Sequence, residues 1–252
     1  MTLQQAHFEY LLRLGDNALI LGQRLGEWCG HGPVLEQDIA ITNIALDLIG
    51  QSRSLLEHAG SLEGKGRNED DLAFLRDAWD FRNVLLVEQP NQDWAFTIVR
   101  QFLFDAFHYP LLLQLSESSD EHLAAIAKKS IKEVAYHLRY SSEWMIRLGD
   151  GTEVSHQKMQ AALDELWMYS GESTTPDEVD LLVAEAGIGA NLELVQRAYA
   201  EKVNAVLHEA TLQKPVGDWM QRGGKTGSHS EYLGFILAEM QFMQRAYPGQ
   251  KW

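Results

Sequence analysis

Apolar residues recur along this chain at three- and four-residue steps, and alternating strand-like runs are absent, so the dominant period is helical. Leu11, Leu14, Ala18, Leu21, Leu25 and Trp28 form one such stripe, which Gly30, Gly32 and Pro33 bring to a stop. A second helix is predicted from about Glu36 to Ala59, ending in the loop GSLEGKGRNEDD. A shorter helical stretch is predicted over 71–88, stopping at Gln89-Pro90-Asn91. Residues 93–117 make the most apolar helix. Between Trp94 and Leu115 it carries only Arg100 and Asp105 as charged residues, with apolar residues all around, as expected of a helix at the centre of a bundle. Pro110 lies inside it and predicts a kink just past His108.

The next predicted helix, 120–149, starts at a capping Asp120 and ends at Gly149-Asp150-Gly151. Others follow over 155–172, 176–186, 191–212 and 230–246. Thr175-Pro176-Asp177-Glu178 supplies a cap, a first-turn proline and acids for the helix dipole. No repeat, low-complexity tract or linker interrupts the pattern. The expectation is an all-α chain of long antiparallel helices with additional C-terminal helices, as a single domain over residues 1–252.

Composition narrows the function classes. At 252 residues and 45% hydrophobic content, one large buried core is expected. Thirty-six acidic against 21 basic residues give a net charge of −15, which repels nucleic acid and anionic lipid. The single cysteine, Cys29, excludes an internal disulfide and a Cys-based zinc site. The amino terminus lacks a signal design, and no apolar run approaches the roughly 20 residues that span a bilayer. A cytoplasmic protein with no membrane or nucleic-acid partner is expected.

Candidate chemistry sits on two neighbouring helices. Asp105/His108 and Glu133/His137 are carboxylate–histidine pairs about one turn apart, the kind of pair that ferritin-like bundles use to hold two irons. Asp105 and His108 share a helix face with Trp94, Ile98 and Leu112. Glu133 and His137 share one with Ile126, Trp144 and Leu148, so both pairs are expected to be enclosed. Two readings stay open: a metal site, or side chains hydrogen-bonded to one another in place of metal.

The rest of an iron site is incomplete. A di-iron bundle wants a Glu on each of two helices and Glu-x-x-His on each of the other two. On the first helix Glu9, Asp16 and Glu27 point away from the apolar stripe. On the second, Asp47 is the central acid, but Gly50 stands three residues on, where a histidine is wanted. Three after Glu133 is Tyr136, with His137 displaced by one.

Two further motifs carry weaker signals. Gly223 to His229 reads as glycine-rich and basic but lacks the first glycine of a phosphate-binding P-loop, since Trp219 stands there. Lys225 and His229 remain candidates for a phosphate group or a partner, against the alternative of a turn that docks the last helix. Cys29, at the end of a helix, lacks the activating dipole of an N-terminus and reads as a packed, inert thiol.

Several runs resemble a known family. Leu14-Gly15-Asp16-Asn17, Leu25-Gly26-Glu27-Trp28-Cys29-Gly30-His31 and Leu46-Asp47-Leu48-Ile49-Gly50-Gln51 are similar to the C subunits of bacterial ring 1,2-phenylacetyl-CoA epoxidases. So are Leu85 to Asn91, Ile131 to Arg139 and the tail from Gly223 to Trp252, and the likeness covers essentially the whole chain. The resemblance implies a ferritin-like fold in a non-catalytic structural subunit that holds no metal. It implies pairing with an A subunit that carries the di-iron centre, and a reductase subunit that delivers electrons. The complex would epoxidise the ring of phenylacetyl-CoA in aerobic phenylacetate breakdown, which would make a coenzyme A phosphate the group that Lys225 and His229 could meet. A homodimer is open for the isolated chain. The competing reading is an active di-metal oxidase in its own right, using Asp47, Asp105, His108, Glu133 and His137.

Overall fold

In the computed structural model, which describes residues 1–217 and 219–250, each long helix starts at a side chain able to take its orphaned N–H groups, with α2 (Leu35–Glu63) the exception. Thr2 and Gln5 form a capping box for α1 (Leu3–Gly26). Asp93 caps α4 (Trp94–Leu115) and Asp120 caps α5 (Glu121–Gly149), the latter as the sequence predicts. The short α3 (Glu69–Phe74) lies between α2 and α4. Beyond come α6 (Glu153–Leu166), α7 (Glu178–Glu185), α8 (Leu192–Glu209), α9 (Glu231–Met240) and α10 (Phe242–Ala246). No strand occurs among the described residues, and none of their helices is long and apolar enough to cross a membrane. The fold is all-α. Its two hairpins of long helices, α1–α2 and α4–α5, are the helical content of a ferritin-like bundle, and α6 to α10 are the additional C-terminal helices.

The chain forms two compact units. The first comprises residues 1–88 and 223–252. Here α1 and α2 are antiparallel: Gly15 lies against Leu55 and Leu56, and Gly22 against Ala45, Leu48 and Ile49. The absent side chains let Leu56 pack onto Gly15 and bring the Ala45 carbonyl close to Gly22. Leu11, Leu21 and Leu25 of α1 and Ile41, Ile44, Leu48 and Leu56 of α2 are buried, and Leu48 and Leu56 lie on the seam. The second unit is residues 89–222, where α4 packs against α5, α6 and α8. Seventeen of the 22 residues of α4 are buried, which matches its all-round apolar character, and it runs on through Pro110.

Three expectations need correction. The stretch 71–88 is not one helix: α3 ends at Phe74, a 3-10 turn covers Ala78–Asp80, and residues 81–90 are irregular. The reason is non-local. Side chains of α1 capture this backbone: Asp16 accepts from the Arg82 N–H, Asn17 from the Val84 N–H, and Arg24 donates to the Glu88 carbonyl. Secondly, Asp177 rather than Thr175 caps α7. Thirdly, Cys29 is exposed, because the turns after α1 leave it outside the core.

Candidate functional site

The second unit encloses a polar cluster between α4 and α5. Asp105 is fully buried, and its two oxygens accept hydrogen bonds of 2.8 Å from Gln101 Nε2 and from the Ser141 hydroxyl. Gln101 lies one turn before Asp105, and Ser141 comes from α5 across the seam. Burial pushes the Asp105 carboxyl up to about 7, against the pull of His137 and the two hydrogen bonds. His108 is held down to about 3 by burial and by repulsion from His137, and so is neutral at physiological pH. Its ring lies 5.0 Å from that of Phe104. His137 is fully buried and Glu133 half-buried.

His137 thus comes close enough to Asp105 and to His108 to act on the titration of each. Gln101 and Ser141, which hold the carboxylate, were not legible as its partners. The spacing of Gln101 from Asp105, four residues on a helix predicted to be central, was the available signal. Asp47 belongs to the first unit, half-buried on α2, with Gly50 exposed on the next turn.

As a donor set these residues do not fit a pair of irons. Such a centre takes four carboxylates and two histidines. The α4–α5 seam offers Asp105 and Glu133, and Asp105 has both oxygens engaged and its charge disfavoured by burial. Among the described residues, Asp105, His108, Glu133 and His137 do not bring three donor atoms within 4.8 Å of one another.

The first unit holds a second cluster that sequence reasoning missed. Glu88 is fully buried. It accepts from Asn83 Nδ2 at 3.1 Å, from His229 Nδ1 at 3.0 Å and from the Ser230 N–H at 2.6 Å. The other ring nitrogen of His229 donates to the Phe81 carbonyl at 2.9 Å. Burial opposes a charge on this ring, but the Glu88 carboxylate and the carbonyl outweigh it and raise its pKa. Nearby, Asp16 and Arg76 form a buried ion pair, and the Arg76 guanidinium lies 4.2 Å from the centre of the Phe81 ring. Arg82 pairs with Glu9, on the same helix as Asp16.

The sequence places Asp16 away from the apolar stripe of α1, yet it is fully buried, because the 76–88 segment covers that face. Both nitrogens of His229 are used inside the chain, which leaves neither for a phosphate. The glycine-rich stretch ahead of it docks through its backbone: Arg13 donates to the Lys225 carbonyl, and Gly224 sits so close to Asn83 that a side chain would not fit. A docking turn with no ligand role predicts that Lys225→Ala, in a complex active on a CoA ester, leaves KM for the ester unchanged. A severalfold rise in KM at constant kcat would restore the phosphate reading.

Comparison with known proteins fits this geometry. A family model described as "Phenylacetic acid catabolic protein" matches residues 2–252. The chain is 52% identical over 243 residues to the C subunit of the 1,2-phenylacetyl-CoA epoxidase of Escherichia coli (strain K12), covering 96% of this chain and 98% of that protein. Both likenesses run through the two polar clusters and the helices that carry them, and the chain belongs to the phenylacetic acid catabolic protein family.

Proposed function

We propose that this chain is the non-catalytic C-type subunit of a cytoplasmic phenylacetyl-CoA epoxidase, pairing with and stabilising a di-iron A-type subunit that a reductase supplies with electrons. Whole-length likeness to the C subunit of such an enzyme supports membership of the complex. The observation that carries the non-catalytic reading is the state of Asp105. The seam offers one further carboxylate, Glu133, where a di-iron centre takes four, and both oxygens of Asp105 already accept hydrogen bonds from neutral protein groups. Its partners Gln101 and Ser141 are neutral and do for the carboxylate what metal would otherwise do. The cluster then acts structurally, with the Asp105 carboxyl bonded to Gln101 on its own helix and to Ser141 across the seam, which keeps α4 and α5 in register.

In this reading the chain contributes stability and shape to the complex, and oxygen activation belongs to the partner. Isolated chain supplied with ferrous iron and a reductant should show no oxygen consumption above the buffer. Glu133→Ala within the complex should leave turnover per A-type subunit within about twofold of wild type. Iron-dependent oxygen consumption by the isolated chain, lost in Glu133→Ala, would make it an oxidase in its own right.

A further inference from the structure

We propose that the outer face of α2 is the surface on which the heterologous helical subunit docks, with its backbone passing closest at Gly50. The inference rests on the subunit reading above. Helix α2 is apolar on two opposite faces. Ile41, Ile44, Leu48 and Leu56 pack inside the first unit. Leu35, Ile39, Leu46 and Ile49 fall on the other side at helical spacing, within about 40° of a common line at 100° per residue. Leu35 is 71% exposed, Ile39 52% and Leu46 60%, while Ile49, at the edge of the stripe, is 37% exposed and reaches toward Gly22 of α1. An apolar stripe over four turns, uncovered on a protein of net charge −15, is the pattern of a helix that meets another helix.

Gly50 is an independent observation. It lies in the interior of a 29-residue helix, beside Ile49 and one turn from Leu46. Glycine there is unfavourable for the helix, and a side chain at this position would meet nothing within 4 Å. Packing within the chain therefore gives no reason for it. Close approach of another backbone does, as it does for Gly22, which faces the Ala45 carbonyl on the seam between α1 and α2.

Charge selects the occupant. The flanks of the stripe carry Glu36, Asp38 and Asp47, and past Ile49 its line continues to Arg53, which pairs with Glu69, and to Glu57. A second copy would bring acidic rims together, a repulsive arrangement. The complementary surface is an apolar helix face bordered by lysine or arginine, offered by a different subunit.

The test uses the full chain co-expressed with the tagged A-type subunit. The double variant Ile39→Glu/Leu46→Glu should melt within a few degrees of wild type when isolated, since both sites are exposed, and should bind the A-type subunit on the order of 100-fold more weakly. Gly50→Ala should raise the melting midpoint of the isolated chain and yet weaken the pair by about tenfold or more, a combination that a purely structural glycine does not produce. Undiminished pairing by the double variant would overturn the proposal. So would an isolated wild-type dimer that Leu46→Glu converts to monomer, which would assign the face to a second copy. Failure of the wild-type chain to pair with the A-type subunit would instead sink the subunit reading itself, and the docking face with it.

Discussion

Replacing Arg76 with Met destabilises the chain by about 3–5 kcal/mol, because Asp16 is left charged and buried with too few donors. Asp16 is fully buried and Arg76 nearly so, and the guanidinium reaches both carboxylate oxygens, one at 3.0 Å. The same guanidinium donates to the carbonyls of Leu72 and Asp80 and lies over Phe81. One side chain therefore neutralises a buried acid of α1 and closes the irregular segment after α3. For a chain of this size the loss corresponds to a fall of roughly 10 °C in melting midpoint. The double variant Asp16→Leu/Arg76→Met should be much less damaged than the sum of its parts, since both charges leave together. Urea and thermal unfolding of the four members of this cycle check it; additive losses would mean that the two charges do not depend on each other.

The second large effect is a pair of opposed pH dependences in the α4–α5 seam. For Asp105 the folded value of about 7 lies above the ordinary 3.8, so the folded state holds the proton more tightly. Its contribution to stability is fully present below pH 3.8 and is lost as pH rises toward 7. For His108 the folded value of about 3 lies below the ordinary 6.5, so its contribution is fully present above pH 6.5 and is lost as pH falls toward 3. Between about pH 4 and 6.5 the two slopes oppose each other and largely cancel.

Single substitutions expose each slope. Relative to wild type, Asp105→Asn should gain stability as pH rises from about 4 to 7, on the order of 4 kcal/mol across the range. His108→Gln should gain, relative to wild type, as pH falls from about 6.5 toward 4, by on the order of 3 kcal/mol. Urea titrations of each variant beside wild type at closely spaced pH values measure these differences. Two flat difference curves would mean that neither group titrates abnormally in the folded chain.

The long helices were legible because apolar periodicity and capping residues are local: Asp120 marks a helix start that the structure keeps. The enclosure of Asp105 and His137 followed from counting helix faces, and α4 read as central because it is apolar all round. What escaped the sequence was long-range. Residues 71–88 have a helical pattern, but Asp16, Asn17 and Arg24 hold that backbone in another shape from more than 60 positions away. Glu88 and His229 stand 141 positions apart, and neither carries a local sign of the other. Burial of Asp16 has the same origin, since a helix face judged polar becomes interior once a loop rich in donors lies on it. Position 50 was readable as a missing ligand, whereas its exposure on an uncovered apolar face required the structure.

Three buried carboxylates of this chain share one condition, in that protein donors satisfy each of them. Asp105 is held by Gln101 and Ser141, Asp16 by Arg76 and Arg82, and Glu88 by Asn83, His229 and Ser230. The proposed non-catalytic reading rests on this condition together with the incomplete donor set of the α4–α5 seam. Co-purification with the A-type subunit, separation of the chains without loss of metal, and iron counting on each is the most direct test. Iron should stay with the A-type subunit, with no stoichiometric iron on this chain; two irons bound to each copy of this chain would contradict the non-catalytic reading.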